Sequence, residues 1–239
     1  MSTIIKNDIN KIYYYNIMNT SLNDSVPDEL ITYNFNSMNT LSNDKKPDNL
    51  DTNDKKPDNL DTNEQIKPQY IAMYDDFLSA ELYEECYKYA IDTYLSNDMV
   101  FKTNKSWNNN IVYDSTPILI HTPTDQTNNN LCKKLRAEIL NKTGLSCKFK
   151  DLHFYFFTPM SHIPWHDDFY HDGGLTIYLN KEWHEDTGGA FMYKNDESIN
   201  AIYPSSNTAN LVVGDIFHCV CSTTKNSDTR MTIQCFFDL

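Results

Sequence analysis

The sequence predicts a mostly β protein, a sandwich or jelly roll with helices packed on one face. Three observations predict it. From residue 151 onward, seven short segments rich in β-branched and aromatic residues follow one another, each bounded by turn formers. Ahead of them, two segments carry a helical period. Residues 1–69 are polar and repetitive, which sets them apart as a disordered tail in front of a domain spanning 70–239.

The tail contains one perfect repeat: NDKKPDNLDT at 43–52 recurs at 53–62. A ten-residue unit with a single Leu cannot build the apolar face of a solenoid, and two copies are too few to stack. The stretch reads as low-complexity chain that buries too little to offset its own conformational entropy.

Within 70–239, YIAMY forms a short strand. Ser79 caps a helix that runs to Leu95, with Leu82, Cys86, Tyr89 and Tyr94 in its stripe and Glu81, Glu84 and Glu85 near its positive end. A second helix runs from 129 to 142, with Leu131, Leu135 and Ile139 on one face and Gly144 as its stop. Residues 110–121 between the helices are extended. The predicted strands are LHFYFF, LTIYLN, GAFMYK, SINAIY, ANLVV, IFHCVC and RMTIQCFF. The pairs Gly173-Gly174 and Gly188-Gly189 mark tight turns at strand starts.

Charge and composition exclude several classes. The net charge is −13. The tail holds seven Lys and eleven acids, so a net of −9 remains in 70–239. A domain this acidic is unsuited to a phosphate backbone, and no nucleic-acid partner is expected. No apolar run is long enough to span a membrane. The opening MSTIIKNDINKIYYYN lacks the pattern of a secretory signal, so a cytoplasmic location is expected. The six cysteines form no CxxC pair and read as reduced thiols, with Cys219, Cys221 and Cys235 as small packing residues.

Strand residues two apart share a face. That rule puts His166 with Asp168, Thr176 with Tyr178, and Arg230 with Thr232 and Gln234, while His218 sits opposite Cys219 and Cys221. Four strands therefore carry polar groups where a sandwich is normally apolar. Buried charge persists only when paired or metal-bound, so these groups are expected to face one ligand-filled cavity. Two His and one Asp are the set that holds non-haem Fe(II) on one side and leaves positions open for a chelating oxyacid and dioxygen. Arg230, one of only two arginines against eighteen lysines, offers a planar fork that suits a carboxylate. A second HxD triplet, at His184, lies in the polar loop KEWHEDTGG with no apolar strand before it. His162 and His171 read as loop residues.

The ordered set YDDFLS, WHDD, TIYLN followed by Trp and Gly-Gly, VVGDIFHCV and TRMTIQCFF resembles the 2-oxoglutarate- and Fe(II)-dependent dioxygenases, in their prolyl-hydroxylase-like branch. The resemblance covers roughly 70–239. It implies a double-stranded β-helix, with His166, Asp168 and His218 as iron ligands and Arg230 binding the distal carboxylate of 2-oxoglutarate. Thr232 stands where the family often has Ser, and Tyr178 matches a Tyr that also reaches that carboxylate. Tyr155 or Phe157 matches another pocket Tyr, and Met160 stands where many members have Gly.

The implied chemistry is oxidative decarboxylation of 2-oxoglutarate to succinate, coupled to hydroxylation of a substrate. The cofactors implied are Fe(II), 2-oxoglutarate as cosubstrate with dioxygen, and ascorbate as reductant. A prolyl or other side chain of a protein is the expected target. The alternatives are a small-molecule hydroxylase on the same scaffold and a non-catalytic jelly-roll binding module. A nucleic-acid dealkylase is disfavoured, because Phe236 stands where that branch carries a further Arg.

Overall fold

A computed structural model describes residues 69–108, 116–195 and 198–239. The predicted tail, except for Gln69, and part of the extended stretch at 110–121 lie outside the described residues. The described chain is mostly antiparallel sheet with two helices, as expected.

Both helices form where the sequence predicted them. Helix α1 (Ala80–Ser96) starts at Ser79, whose hydroxyl accepts from the Leu82 N–H, and ends at Asn97 in the left-handed region. Helix α2 (Asn130–Thr143) starts at Asn129, whose side chain accepts from the Cys132 N–H. It stops at Gly144, φ 66°, whose N–H closes on the Leu140 carbonyl.

The strands are β1 (Tyr70–Tyr74), β2 (Val100–Lys102), β3 (Ile118–His121), β4 (Lys148–Phe157), β5 (Ile163–His166), β6 (Gly173–Tyr178), β7 (Phe191–Asn195), β8 (Ser198–Ile202), β9 (Ala209–Val213), β10 (His218–Val220) and β11 (Arg230–Asp238). They form a seven-stranded sheet in the order β1-β9-β6-β11-β4-β3-β2 and a four-stranded sheet in the order β5-β10-β7-β8.

The period of two divides the large sheet cleanly. Leu152, Phe154 and Phe156 of β4, Leu175 and Ile177 of β6, and Met231, Ile233, Cys235 and Phe237 of β11 pack with Leu82, Cys86, Leu135 and Ile139 of the helices. Each fully buried aliphatic or aromatic side chain there contributes about 1.5–3 kcal/mol. On the opposite face, Ile118, Ile120, Tyr155, Phe157 and Val212 meet Ile163, Phe191, Ile202 and Val220 from the small sheet. The candidate site residues lie in this inter-sheet layer. Among the described residues, no helix is long and apolar enough to cross a membrane.

Three details differ from the sequence reading. Strand β2 was not expected; it exists through pairing with β3. Gly173 and Gly174 lie inside β6 rather than in a turn. A Cβ at Gly173 would sit 2.6 Å from both the Phe237 ring and the Val212 carbonyl oxygen, so close approach requires the glycine. Gly188 and Gly189, with φ of 75° and 72°, do meet the turn expectation. Cys219 and Cys235 are buried, but Cys221 is half-buried, and its sulfur accepts from the Ala190 N–H.

Candidate metal centre and pocket

His166 ends β5, His218 begins β10, and the two residues are Cα partners across that ladder. Pairing thus brings together two imidazoles that lie 52 positions apart in the chain, with ring centroids 4.4 Å apart. Asp168, just past the end of β5, completes the group. Its carboxylate oxygens lie 3.7 Å from His166 Nε2 and 3.6 Å from His218 Nε2. One donor atom from each of the three lies within 4.8 Å of the others, the spacing of groups that can share a metal ion.

The two histidines are held by the same local device. His166 Nδ1 lies 2.8 Å from the Pro164 carbonyl, and His218 Nδ1 lies 2.7 Å from the Ile216 carbonyl. A carbonyl only accepts, so each Nδ1 carries a proton, and each Nε2 faces Asp168. Burial, followed by the neighbouring His218, holds His166 below the ordinary histidine range, which favours the neutral form that binds metals. The residue before each histidine adds a further brace. Trp165 and Phe217 stack at 5.6 Å and 15°, with the Lys194 ammonium 5.1 and 4.9 Å from their ring centroids.

Arg230 stands on the inner face of β11 and is 1% exposed. Its guanidinium lies 4.4 Å from the Phe157 ring centroid and 5.1 Å from that of Tyr178. Burial lowers its pKa. Among the described residues no carboxylate pairs with it. Its Nε and the Tyr178 hydroxyl are buried, among the described residues, without a well-aligned hydrogen-bond partner, though the two side chains interact with each other. Burial also raises the Tyr178 phenol, partly offset by the Arg230 charge and by hydrogen bonding to Arg230. A buried cation without a carboxylate partner, beside a buried hydroxyl, fits the carboxylate end of an anionic ligand. Two imidazoles and one carboxylate fit Fe(II).

Register places the remaining candidates. Thr232 has Tyr155 and Tyr178 as its partners on the two sides, and Arg230 has Phe157. Both residues left open for the pocket aromatic therefore face inward, with different parts to play. Tyr155 lines the cleft, while Phe157 lies against the guanidinium. Burial, with Asp168 close by, pushes the Tyr155 phenol well above its ordinary value, so it stays protonated. The cleft encloses about 530 Å³ of empty space, including its mouth. Its lining joins His166, Asp168, His218, Arg230, Thr232 and Tyr155.

Trp107, Thr176 and Phe236 also line the cleft. Trp107 comes from the polar stretch NKSWNNN, which gave no sign of it, and its ring lies edge-on to His166 at 6.4 Å. Met160 has φ 71°, the left-handed region that favours glycine. His184 is exposed and lies in the loop, as expected. His162 also lies in a loop, but it bonds Asn104 at 2.7 Å. His171 stacks on Phe236.

Residues 151–238 match the family model described as the 2OG-Fe(II) oxygenase superfamily. No curated protein matches at a significant level. Among solved structures, a Pseudomonas putida prolyl-4-hydroxylase is 15% identical, with a TM-score of 0.53 over 71% of this chain and 92% of its own. A Trichoplax adhaerens prolyl hydroxylase, solved with a hypoxia-inducible-factor oxygen degradation domain peptide fragment, is 16% identical, with a TM-score of 0.58 over 70% and 83%. A non-heme alpha-ketoglutarate-dependent epimerase of nogalamycin biosynthesis is 9% identical, with a TM-score of 0.51 over 71% and 77%. The family match agrees with the resemblance read from the motifs at the level of the oxygenase superfamily over residues 151–238, and these neighbours bear out the fold.

Proposed function

We propose, on the premise of a 2OG-Fe(II) oxygenase superfamily match over residues 151–238, that residues 70–239 form a dioxygenase domain. It would convert 2-oxoglutarate, dioxygen and a substrate C–H bond into succinate, carbon dioxide and a C–OH bond. The observation that carries this reading is Arg230, a buried cation with no carboxylate partner among the described residues, lining the cleft that holds the His-Asp-His cluster. A structural arginine would have a carboxylate partner, whereas this one awaits an anion.

His166, Asp168 and His218 would hold Fe(II). When bound, iron supplies the dioxygen activation that couples decarboxylation of the 2-oxo acid to oxygen insertion. Arg230 would anchor the distal carboxylate through its planar fork, and the Tyr178 and Thr232 hydroxyls would bond the same group. Tyr155, neutral and inward-facing, would donate to the cosubstrate nearer the metal. The apolar wall of Ile163, Phe191 and Val220 would keep water from the reacting atoms. Ascorbate would serve as reductant.

For the substrate we propose a prolyl or other side chain of a protein. The support is two neighbours described as prolyl hydroxylases, one of them solved with a peptide. The epimerase neighbour favours a second reading, a small-molecule substrate. The test is succinate formation by purified protein with Fe(II), ascorbate and 2-oxoglutarate. Turnover is expected in the wild type and is expected to vanish in Asp168→Ala. Iron-independent turnover, or none with metal loaded, would refute the proposal.

A further inference from the structure

The inner face of β11 continues past the groups used above. Gln234 follows Thr232 on that face, and at about 3.4 Å per strand residue it stands roughly 14 Å from Arg230. Gln234 lines the same cleft as Arg230 and the His-Asp-His cluster, and no role proposed above uses it.

Its amide is held in a set orientation. Thr176, its Cα partner on β6, donates its hydroxyl to Gln234 Oε1 at 2.7 Å. The carbonyl end is thus engaged, and the Nε2 end is turned elsewhere. Nε2 lies over Gly174, where a Cβ would come within 3.2 Å of it and within 3.5 Å of the Phe236 ring. The absence of a side chain at 174 keeps the donor edge open to the cleft. Phe236 is fixed beside it by His171, whose ring lies on it at 4.7 Å and 26°. The Trp107 indole lines the same cleft. A fixed N–H donor beside the Phe236 ring is a recognition site for an acceptor on an otherwise apolar group.

The charge of the lining narrows the acceptor. Among the described residues that line the cleft, Arg230 is the only permanent cation, and the cosubstrate uses it. A substrate carboxylate or phosphate at Gln234 would face a neutral amide, with no further side-chain cation among the described lining residues to receive it.

We infer that Gln234 recognises the primary substrate, donating its Nε2–H to an uncharged carbonyl oxygen of the kind a peptide backbone presents, with Thr176 as its positioning residue. This rests on the oxygenase reading and deepens it, setting blocked, amide-bearing substrates above free amino acids and other anions.

The experiment uses the full chain with Fe(II) and 2-oxoglutarate. It compares a panel of N-acetyl amino-acid amides with the corresponding free amino acids as stimulators of succinate formation. At least one blocked amide is expected to stimulate above background, and the free acids are not. In Gln234→Leu the KM for that amide, relative to the KM for 2-oxoglutarate, should rise about tenfold, the effect of one lost hydrogen bond in a dry site. Thr176→Val should give a smaller rise in the same ratio with little change in kcat. Should Gln234→Leu fail to fold, Gln234→Glu should show the same rise, since it loses the donor but keeps the shape. Stimulation by free acids but not amides, no stimulation by any amide while background turnover persists, or an unchanged KM ratio would each overturn the inference. Absence of all Fe(II)-dependent succinate would instead refute the oxygenase reading beneath it.

Discussion

On the helix-facing side of β11, Met231 is 6% exposed and Ile233, Cys235 and Phe237 are fully buried, all among apolar neighbours. On the other side of the same strand, Arg230 and Thr232 are equally buried, yet they line a cleft with Gln234 and Phe236. Burial alone does not separate structural from functional residues here; whether a buried group finds a partner does. The first face is saturated with van der Waals contacts, so it carries stability. The second face keeps a buried cation that no carboxylate pairs among the described residues, so its desolvation is offset when an anionic ligand arrives.

This contrast can be broken by mutation. The largest change in stability belongs to the helix-facing side. Ile233→Ala should lower the unfolding free energy by about 2–5 kcal/mol in urea denaturation, through lost transfer energy and the cavity left behind. A loss below ~1 kcal/mol would mean that this face is not the core. Arg230→Met should behave in the opposite way. The apoprotein should stay within about 1 kcal/mol of wild type or become more stable, because a desolvated, unpaired charge is removed. The KM for 2-oxoglutarate should rise at least ~10-fold in the same variant, since a charge-assisted bond is lost. An unchanged KM would move Arg230 to the structural side of the comparison.

A smaller effect sharpens the boundary between the two faces. His153, on the inner face of β4, is held below the ordinary histidine range, chiefly by burial. Its folded state therefore resists protonation more than its unfolded state does. The stability it helps preserve is complete above the unfolded pKa of about 6.5 and declines as pH falls from there toward the folded value. Denaturation midpoints at pH 7.5 and 5.5 should differ less in His153→Gln than in wild type; an equal difference would place the titration elsewhere.

Much of this arrangement was legible in the sequence, because strand period and cap chemistry are local. RMTIQCFF separates its two faces by simple alternation, and Ser79, Asn129 and Gly144 mark helix ends by mechanisms confined to a few residues. What escaped depends on distant partners. Val100–Lys102 is wholly exposed and becomes a strand only by pairing with β3. Tyr155 and Phe157 share a face by spacing, and only register with Thr232 and Arg230 tells them apart. Gly173 looked like a turn because its true constraint, the Phe237 ring, lies 64 residues away. Trp107 reaches the cleft from a polar segment with no local signature.

The most direct test of the central claim is anaerobic titration of the Fe(II)-loaded protein with 2-oxoglutarate, followed by visible absorption. Chelation of a 2-oxo acid by Fe(II) held on three protein ligands gives a weak visible band. The band should develop saturably in the wild type, require more 2-oxoglutarate in Arg230→Met, and be absent in Asp168→Ala. A wild-type protein that binds Fe(II) and 2-oxoglutarate yet shows no band, or an undiminished band in Asp168→Ala, would contradict the account.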